Sequence, residues 1–233
     1  FLLIETSHPG NVGACARAIK NMGFNKLGLL NPLNFPSDEA FYRAKGAGDL
    51  LDSAKIYSSL DEALSEKTLV LGTSARDRTI PWPSVFTNNI DKDIPNLDNK
   101  NKISILFGRE KSGLTNEELQ RCHMHIKIPS SEDYSSLNLS HAVQIISYEL
   151  RNALLKNQNN EIKSDVPLST DKDDEFLLKH VDEVLLGLDF YDQNSSRQVK
   201  ARLKRLLKKA RPDKLEVGIL RGFLSKIQEL LNK

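Results

Sequence analysis

The chain has 233 residues and a formal net charge of +2, enough for one domain of ordinary size plus an appendage. Hydrophobic residues at 39% and charged residues at 27% match a soluble globular protein and exclude a disordered or fibrous chain. No apolar run approaches the roughly 18 residues of a spanning helix, and Phe1-Leu-Leu-Ile lacks the basic segment of a signal peptide.

The first ~150 residues alternate strand and helix signals, which predicts an α/β domain with a largely parallel sheet. In chain order, strands are predicted at Phe1–Glu5, Lys26–Leu30, Lys55–Tyr57, Thr68–Thr73, Ile103–Phe107 and His125–Ile128. Helices are predicted at Val12–Met22, Asp38–Ala44, Leu60–Ser65, Thr115–Arg121 and Ser140–Lys156. Thr115 with Glu118 has the form of a capping box. Leu139, Val143, Ile146 and Leu150 recur at the spacing of a core-facing helical stripe. The polar stretch 157–174 reads as a linker, and it separates a domain over 1–156 from an extension over 175–233. In the extension, helices are predicted at Glu175–Leu188, Ser196–Ala210 and Lys214–Leu231, the last two parted by Pro212.

Charge is distributed unevenly. From Ser195 to the end, 12 Lys and Arg stand against 3 Asp and Glu, a net of +9, while the rest of the chain nets −7. A basic segment of this kind attracts polyanions, nucleic acid foremost. Lys200, Lys204, Lys208 and Arg211 fall on one helical stripe, which reads either as a phosphate-facing row or as an ordinary solvated face.

Three blocks join an apolar strand to a helix through small polar residues: Glu5-Thr-Ser-His-Pro-Gly-Asn-Val-Gly-Ala-Cys-Ala-Arg17, Phe107-Gly-Arg-Glu-Lys-Ser-Gly-Leu114 and Ile126-Lys-Ile-Pro-Ser-Ser-Glu-Asp-Tyr-Ser-Ser-Leu-Asn-Leu139. Strand carboxyl ends are where open α/β sheets bind ligands. Arg109 and Glu110 could pair with each other or point into a cleft, and Ser135 to Asn138 could cap a helix, contact a ligand, or both. Gly72-Thr-Ser-Ala75 allows close backbone approach. Arg76, Arg78 and Trp82 could stack on and neutralise RNA, or the prolines of that run could pin Trp82 against the fold. No glycine fingerprint of a nicotinamide-binding fold and no P-loop is present. The five scattered histidines and two cysteines complete no zinc site, so no metal is expected. Cys15 and Cys122 are expected to be reduced.

Together these blocks resemble the three signature motifs of the SpoU-type (SPOUT superfamily) RNA 2′-O-ribose methyltransferases. The match lies in Asn11 with Arg17, in Phe-Gly-Arg-Glu110 with Gly113-Leu114, and in Ser135-Ser-Leu-Asn-Leu139. The run Gly72 to Pro83, with Ala210-Arg-Pro212 and Ile219-Leu-Arg-Gly222, is similar to the bacterial branch acting on cytidine or uridine 32 of the tRNA anticodon loop. The resemblance implies a parallel α/β sheet with a deep trefoil knot plus a C-terminal helical extension. It also implies S-adenosylmethionine as cofactor, tRNA as substrate, and a cytoplasmic homodimer with a shared active site. Thr73, Ser74, Ala75, Gly108, Ile128, Ser135, Ser136 and Leu137 then line the cofactor pocket. Arg17 takes the catalytic position, with Asn11, Glu110, Ser136 and Asn138 around it. Arg17 could act as a general base, although a free guanidinium keeps its proton at neutral pH. It could instead stay charged and hold the 3′ phosphate. Rival readings are modification of another tRNA or rRNA site, a non-catalytic RNA-binding protein of the same fold, and a nucleotide-dependent oxidoreductase.

Overall fold

The computed structural model describes residues 1–75, 81–94, 102–131, 133–157, 166–191 and 197–231. Seven strands form one parallel sheet: β1 (Leu2–Ile4), β2 (Gly28–Leu30), β3 (Lys55–Tyr57), β4 (Leu69–Thr73), β5 (Ser84–Phe86), β6 (Ile103–Phe107) and β7 (Met124–Lys127), in the spatial order β3-β2-β1-β6-β4-β7-β5. Among the described residues, the same domain holds the helices α1 (Pro9–Asn21), α2 (Asp38–Ala44), α3 (Gly48–Asp52), α4 (Leu60–Leu64), α5 (Ile90–Asp93), α6 (Asn116–Gln120) and α7 (Leu139–Asn157). The extension is α8 (Asp171–Gly187), α9 (Arg197–Ala210) and α10 (Lys214–Leu231).

Side chains alternate across a strand, and here the alternation divides the core. Leu3, Leu69, Leu71, Ile105 and Phe107 face one cluster with α1, α2 and α7; Leu2, Ile4, Val70 and Leu106 face the other with α4 and α6. The predicted stripe on α7 is buried in the first cluster, with Val143 and Ile146 at 0% exposure. Chain order reverses between β1 and β6, the kind of switch point where open α/β sheets bind ligands.

Several element boundaries differ from the sequence reading. α1 starts at Pro9, three residues before Val12, because proline suits a first helical turn that needs no N–H. β1 stops at Ile4, since Glu5 takes a left-handed φ of 46°. β5, α3 and α5 were not anticipated; each is too short to show a period. The predicted linker extends too far: α8 begins at Asp171, where Thr170 and Asp173 form a capping box and acidic residues sit at the helix's positive end. The Thr115–Glu118 capping box is present as expected.

The extension lies against the amino-terminal edge of the sheet. Asp171 N–H donates to Lys67 O at 2.7 Å and Lys172 N–H to Ser65 O at 3.4 Å. Between the two parts runs a buried charge cluster. Lys208 Nζ, at 0% exposure, sits 2.8 Å from Asp171 and 3.0 Å from Asp174. Arg121, from the sheet domain, pairs with the same Asp171 and with Asp61. His123 accepts from the Val70 N–H through Nδ1 at 3.0 Å. Burial, the largest effect, pushes the His123 pKa down even though Asp174 favours the charged form. Among the described residues, no helix is long and apolar enough to cross a membrane, and no group of His, Cys, Asp and Glu could hold a metal ion.

Candidate active site

The carboxyl ends of β1 and β6 meet around one carboxylate. Glu110 Oε2 accepts from the Ser7 N–H and Oγ, each at 3.2 Å; Oε1 accepts from the His8 N–H at 3.2 Å and Asn11 Nδ2 at 3.1 Å. Burial alone would raise the Glu110 pKa, but the Asn11 side chain and nearby backbone N–H groups outweigh it and hold the pKa below the usual range. Asn11 Oδ1 in turn accepts from Asn138 Nδ2 at 3.2 Å. Glu110, Asn11 and Asn138 thus form a relay through all three motif blocks. Asn138 also caps α7, since its Oδ1 accepts from the Ser140 N–H at 2.9 Å. Capping and site-building fall on one residue.

Arg109 and Glu110 do not pair with each other. Arg109 donates Nε to Glu5 at 2.7 Å and spans Glu118 with Nη1 and Nη2 at 3.0 and 3.1 Å. Glu118 is also the capping-box carboxylate of α6, so this guanidinium ties the end of β1, the end of β6 and the start of α6 together. The turn after β6 closes through two backbone bonds between Arg109 and Gly113, at 3.2 and 2.9 Å. Gly108 has no room for a side chain there: an added Cβ would lie 2.1 Å from the Gly113 carbonyl carbon.

Beside this relay lies a cleft bordered by the ends of β4, β6 and β7. All eight residues predicted to bind the cofactor line it: Thr73, Ser74, Ala75, Gly108, Ile128, Ser135, Ser136 and Leu137. Glu110 lines it too. The sequence reading omitted Leu114, Ile126, Leu139 and Ala142, which add an apolar wall. Ile126 was findable, being two residues before Ile128 on the same face of the strand predicted at His125–Ile128. The mixed lining fits S-adenosylmethionine chemically. Apolar side chains suit an adenine face, and hydroxyls and strand-end backbone suit ribose and amino-acid groups.

The remaining predicted site residues fall elsewhere. Arg17 is exposed and does not line this cleft. It follows Asn11 by six residues, about 9 Å along α1 and roughly 120° around it. Trp82 is no stacking platform: at 9% exposure, its indole donates to Cys122 O at 2.7 Å and stacks on His125. Lys200, Lys204 and Lys208 form no outward row. They face α8 and pair with Asp182 at 2.9 Å, with Glu175 at 3.0 Å, and with Asp171 and Asp174. Arg76 and Arg78 lie outside the described residues.

A parallel sheet with a polar relay at its switch point and a cleft beside it has the form of an open-sheet α/β ligand-binding protein. The chain belongs to the SpoU rRNA Methylase family, whose model matches residues 1–148, and residues 172–233 match the tRNA methyltransferase TrmJ, C-terminal domain. It is 42% identical to the tRNA (cytidine/uridine/adenosine-2′-O-)-methyltransferase TrmJ of Pseudomonas aeruginosa (strain UCBPP-PA14), across 98% of this chain and 93% of that protein. Identity to the tRNA (cytidine/uridine-2′-O-)-methyltransferase TrmJ of Salmonella typhimurium is 44%, across 98% and 96%. Among solved structures, TrmJ from Z. mobilis ZM4 superposes with a TM-score of 0.83 at 26% identity, covering 97% of both chains.

Proposed function

We propose that this protein transfers the methyl group of S-adenosylmethionine to the ribose 2′-hydroxyl of a tRNA nucleotide, and that this nucleotide is cytidine or uridine 32 of the anticodon loop. The observation that carries the reading is the Glu110–Asn11–Asn138 relay beside a cleft lined by all eight motif-derived cofactor residues. The tRNA specificity of the full-length relatives supports the substrate. S-adenosylmethionine supplies an electrophilic methyl on a sulfonium, and an in-line displacement by the 2′-oxygen requires neither metal nor covalent enzyme intermediate.

The chain's own groups position the reaction. Glu110 has four donors on its two oxygens, so it fixes Ser7, His8 and Asn11 and is not a free proton acceptor. Asn138 and Ser136 present polar groups at the mouth of α7, next to the cleft. Arg17 stands outside its own subunit's cleft on an exposed face of α1, which supports a homodimer in which Arg17 of one subunit serves the cleft of the other. There its guanidinium holds the phosphate 3′ to the target and aligns the hydroxyl, whose proton leaves to water. The trefoil knot belongs to the same reading: after β7 the chain borders the cleft with Ile128 and Ser135 to Leu137, then enters α7.

The test is incubation of unmodified tRNA with the protein and S-adenosylmethionine, followed by mapping of alkali-resistant linkages. One resistant linkage, after nucleotide 32, is expected. Resistance elsewhere would overturn the position, and none at all would overturn the activity.

A further inference from the structure

With Lys200, Lys204 and Lys208 turned onto α8, the outer flank of α9 carries a different row of cations. Arg202, Arg205 and Lys209 follow one another at spacings of three and four residues, which aligns them along one side of the helix. At 3.6 residues per turn this row lies roughly 90° from the buried line through Ala201 and Lys208. Arg202 and Lys209 are exposed and Arg205 is half-buried. Among the described residues, neither Arg202 nor Lys209 has a hydrogen-bond or ion-pair partner. The contrast with the inner lysines is chemical as well as positional. Those are neutralised by the carboxylates of α8, whereas α9 itself contains seven cations and no acid.

Arg205 fixes where this row lies. Its Nη1 donates to Pro81 O at 2.9 Å, and Pro81 precedes β5, an edge strand of the sheet. Pro83 O accepts from the His125 N–H, so this approach runs along the amino-terminal side of β7. The cofactor cleft is at the opposite, carboxyl side. The four residues of β7 alone separate the two sides by about 13 Å, at ~3.3 Å per residue. A nucleotide in the cleft therefore cannot also touch the row, but a longer RNA can.

We propose that Arg202, Arg205 and Lys209 form a phosphate-binding row that grips the RNA backbone away from the reacting nucleotide. The inference rests on the tRNA reading above and adds the surface by which the extension holds that substrate. The three residues step about 4.5 and 6 Å along the axis at ~1.5 Å per residue, the scale of successive phosphates along one strand. Contacts of this kind position the nucleic acid without reading its bases. The row thus recognises the backbone of a tRNA stem and leaves base selection to the cleft.

Arg202→Gln combined with Lys209→Gln tests this in the full chain without disturbing the Arg205–Pro81 contact. Binding of unmodified tRNA is measured over a series of salt concentrations. At roughly 0.7 to 0.9 per phosphate contact, the log–log slope should flatten by about 1.4 to 1.8 units. The KM for tRNA should rise, with kcat at saturating tRNA and cofactor affinity unchanged. Lys200→Gln, which removes only an internal pair, should leave the slope as it is. An unaltered slope in the double variant, or an equal flattening from Lys200→Gln, overturns the row. A wild-type chain that methylates tRNA but shows the unaltered slope in the variant refutes the row alone. A wild-type chain that binds no tRNA refutes the functional reading as well.

Discussion

Lys208→Met separates a structural lysine from an RNA-binding one. In the native chain its ammonium lies between Asp171 and Asp174, both at 1% side-chain exposure. Methionine fills similar volume but leaves two buried carboxylates short of a cation. Breaking a buried ion pair from one side costs about 3–5 kcal/mol. Arg121 still holds Asp171, and Ser169 Oγ still donates to Asp174 at 2.6 Å, so the lower end, about 3 kcal/mol, is expected. Against a total stability of about 5–15 kcal/mol that is a large fraction, and it corresponds to a fall in Tm of roughly 6–12 °C for a chain of this size. Urea unfolding followed by fluorescence is the assay. The chain has one tryptophan, and Trp82 sits on the carbonyl of Cys122, next to this cluster. Adding Asp174→Leu should recover part of the loss, because one uncompensated carboxylate is then gone. A loss below about 1 kcal/mol, together with a flattened salt slope for tRNA binding, would refute the argument and return Lys208 to the surface.

The neighbouring histidine gives a pH dependence. Its pKa is lowered in the folded chain, so the unfolded state binds the proton first as pH falls below about 6.5. Stability is therefore present above that value and declines from there down toward the folded pKa; His123→Asn, which can still accept from the Val70 N–H, should remove that decline in urea titrations between pH 7 and about 5. Gly108→Ala forces a methyl into the Gly113 carbonyl group and should weaken S-adenosylmethionine binding at least about tenfold by calorimetry; unaltered binding would mean that the turn is not part of the cofactor site. Trp82→Phe loses one buried hydrogen bond and should cost about 1 kcal/mol with tRNA affinity unchanged. A selective loss of tRNA affinity would restore the stacking role that its burial argues against.

Much of the fold was legible because parallel strands buried on both faces read as continuous apolar runs, and Ile103–Phe107 and Leu69–Thr73 are of that kind. The Thr115 capping box and the α7 stripe are local patterns with local causes. The cleft was legible as well, but through motif resemblance: no periodicity would have joined Thr73 to Ser135. What escaped depended on distant partners. The α9 lysines read as facing outward, toward phosphates or water, because nothing local in the sequence marks Glu175 and Asp182 as their partners and Asp171 and Asp174 fell in the predicted linker. The structure sets Lys200 against Asp182, Lys204 against Glu175 and Lys208 against Asp171 and Asp174, an antiparallel ladder. Complementary charges at helical spacing on two successive helices were the available signal. Arg109 was hidden for a similar reason, since Glu5 lies 104 residues away.

The most direct test of the account is methyl transfer from S-adenosylmethionine to unmodified tRNA by Arg17→Ala, with cofactor binding measured on the same preparation. Arg17 does not line the cleft, so affinity for S-adenosylmethionine should stay within about twofold, a few tenths of a kcal/mol, while methyl transfer is abolished. Full transfer by this variant would contradict the assignment of Arg17 to the reacting site and the two-subunit site built on it.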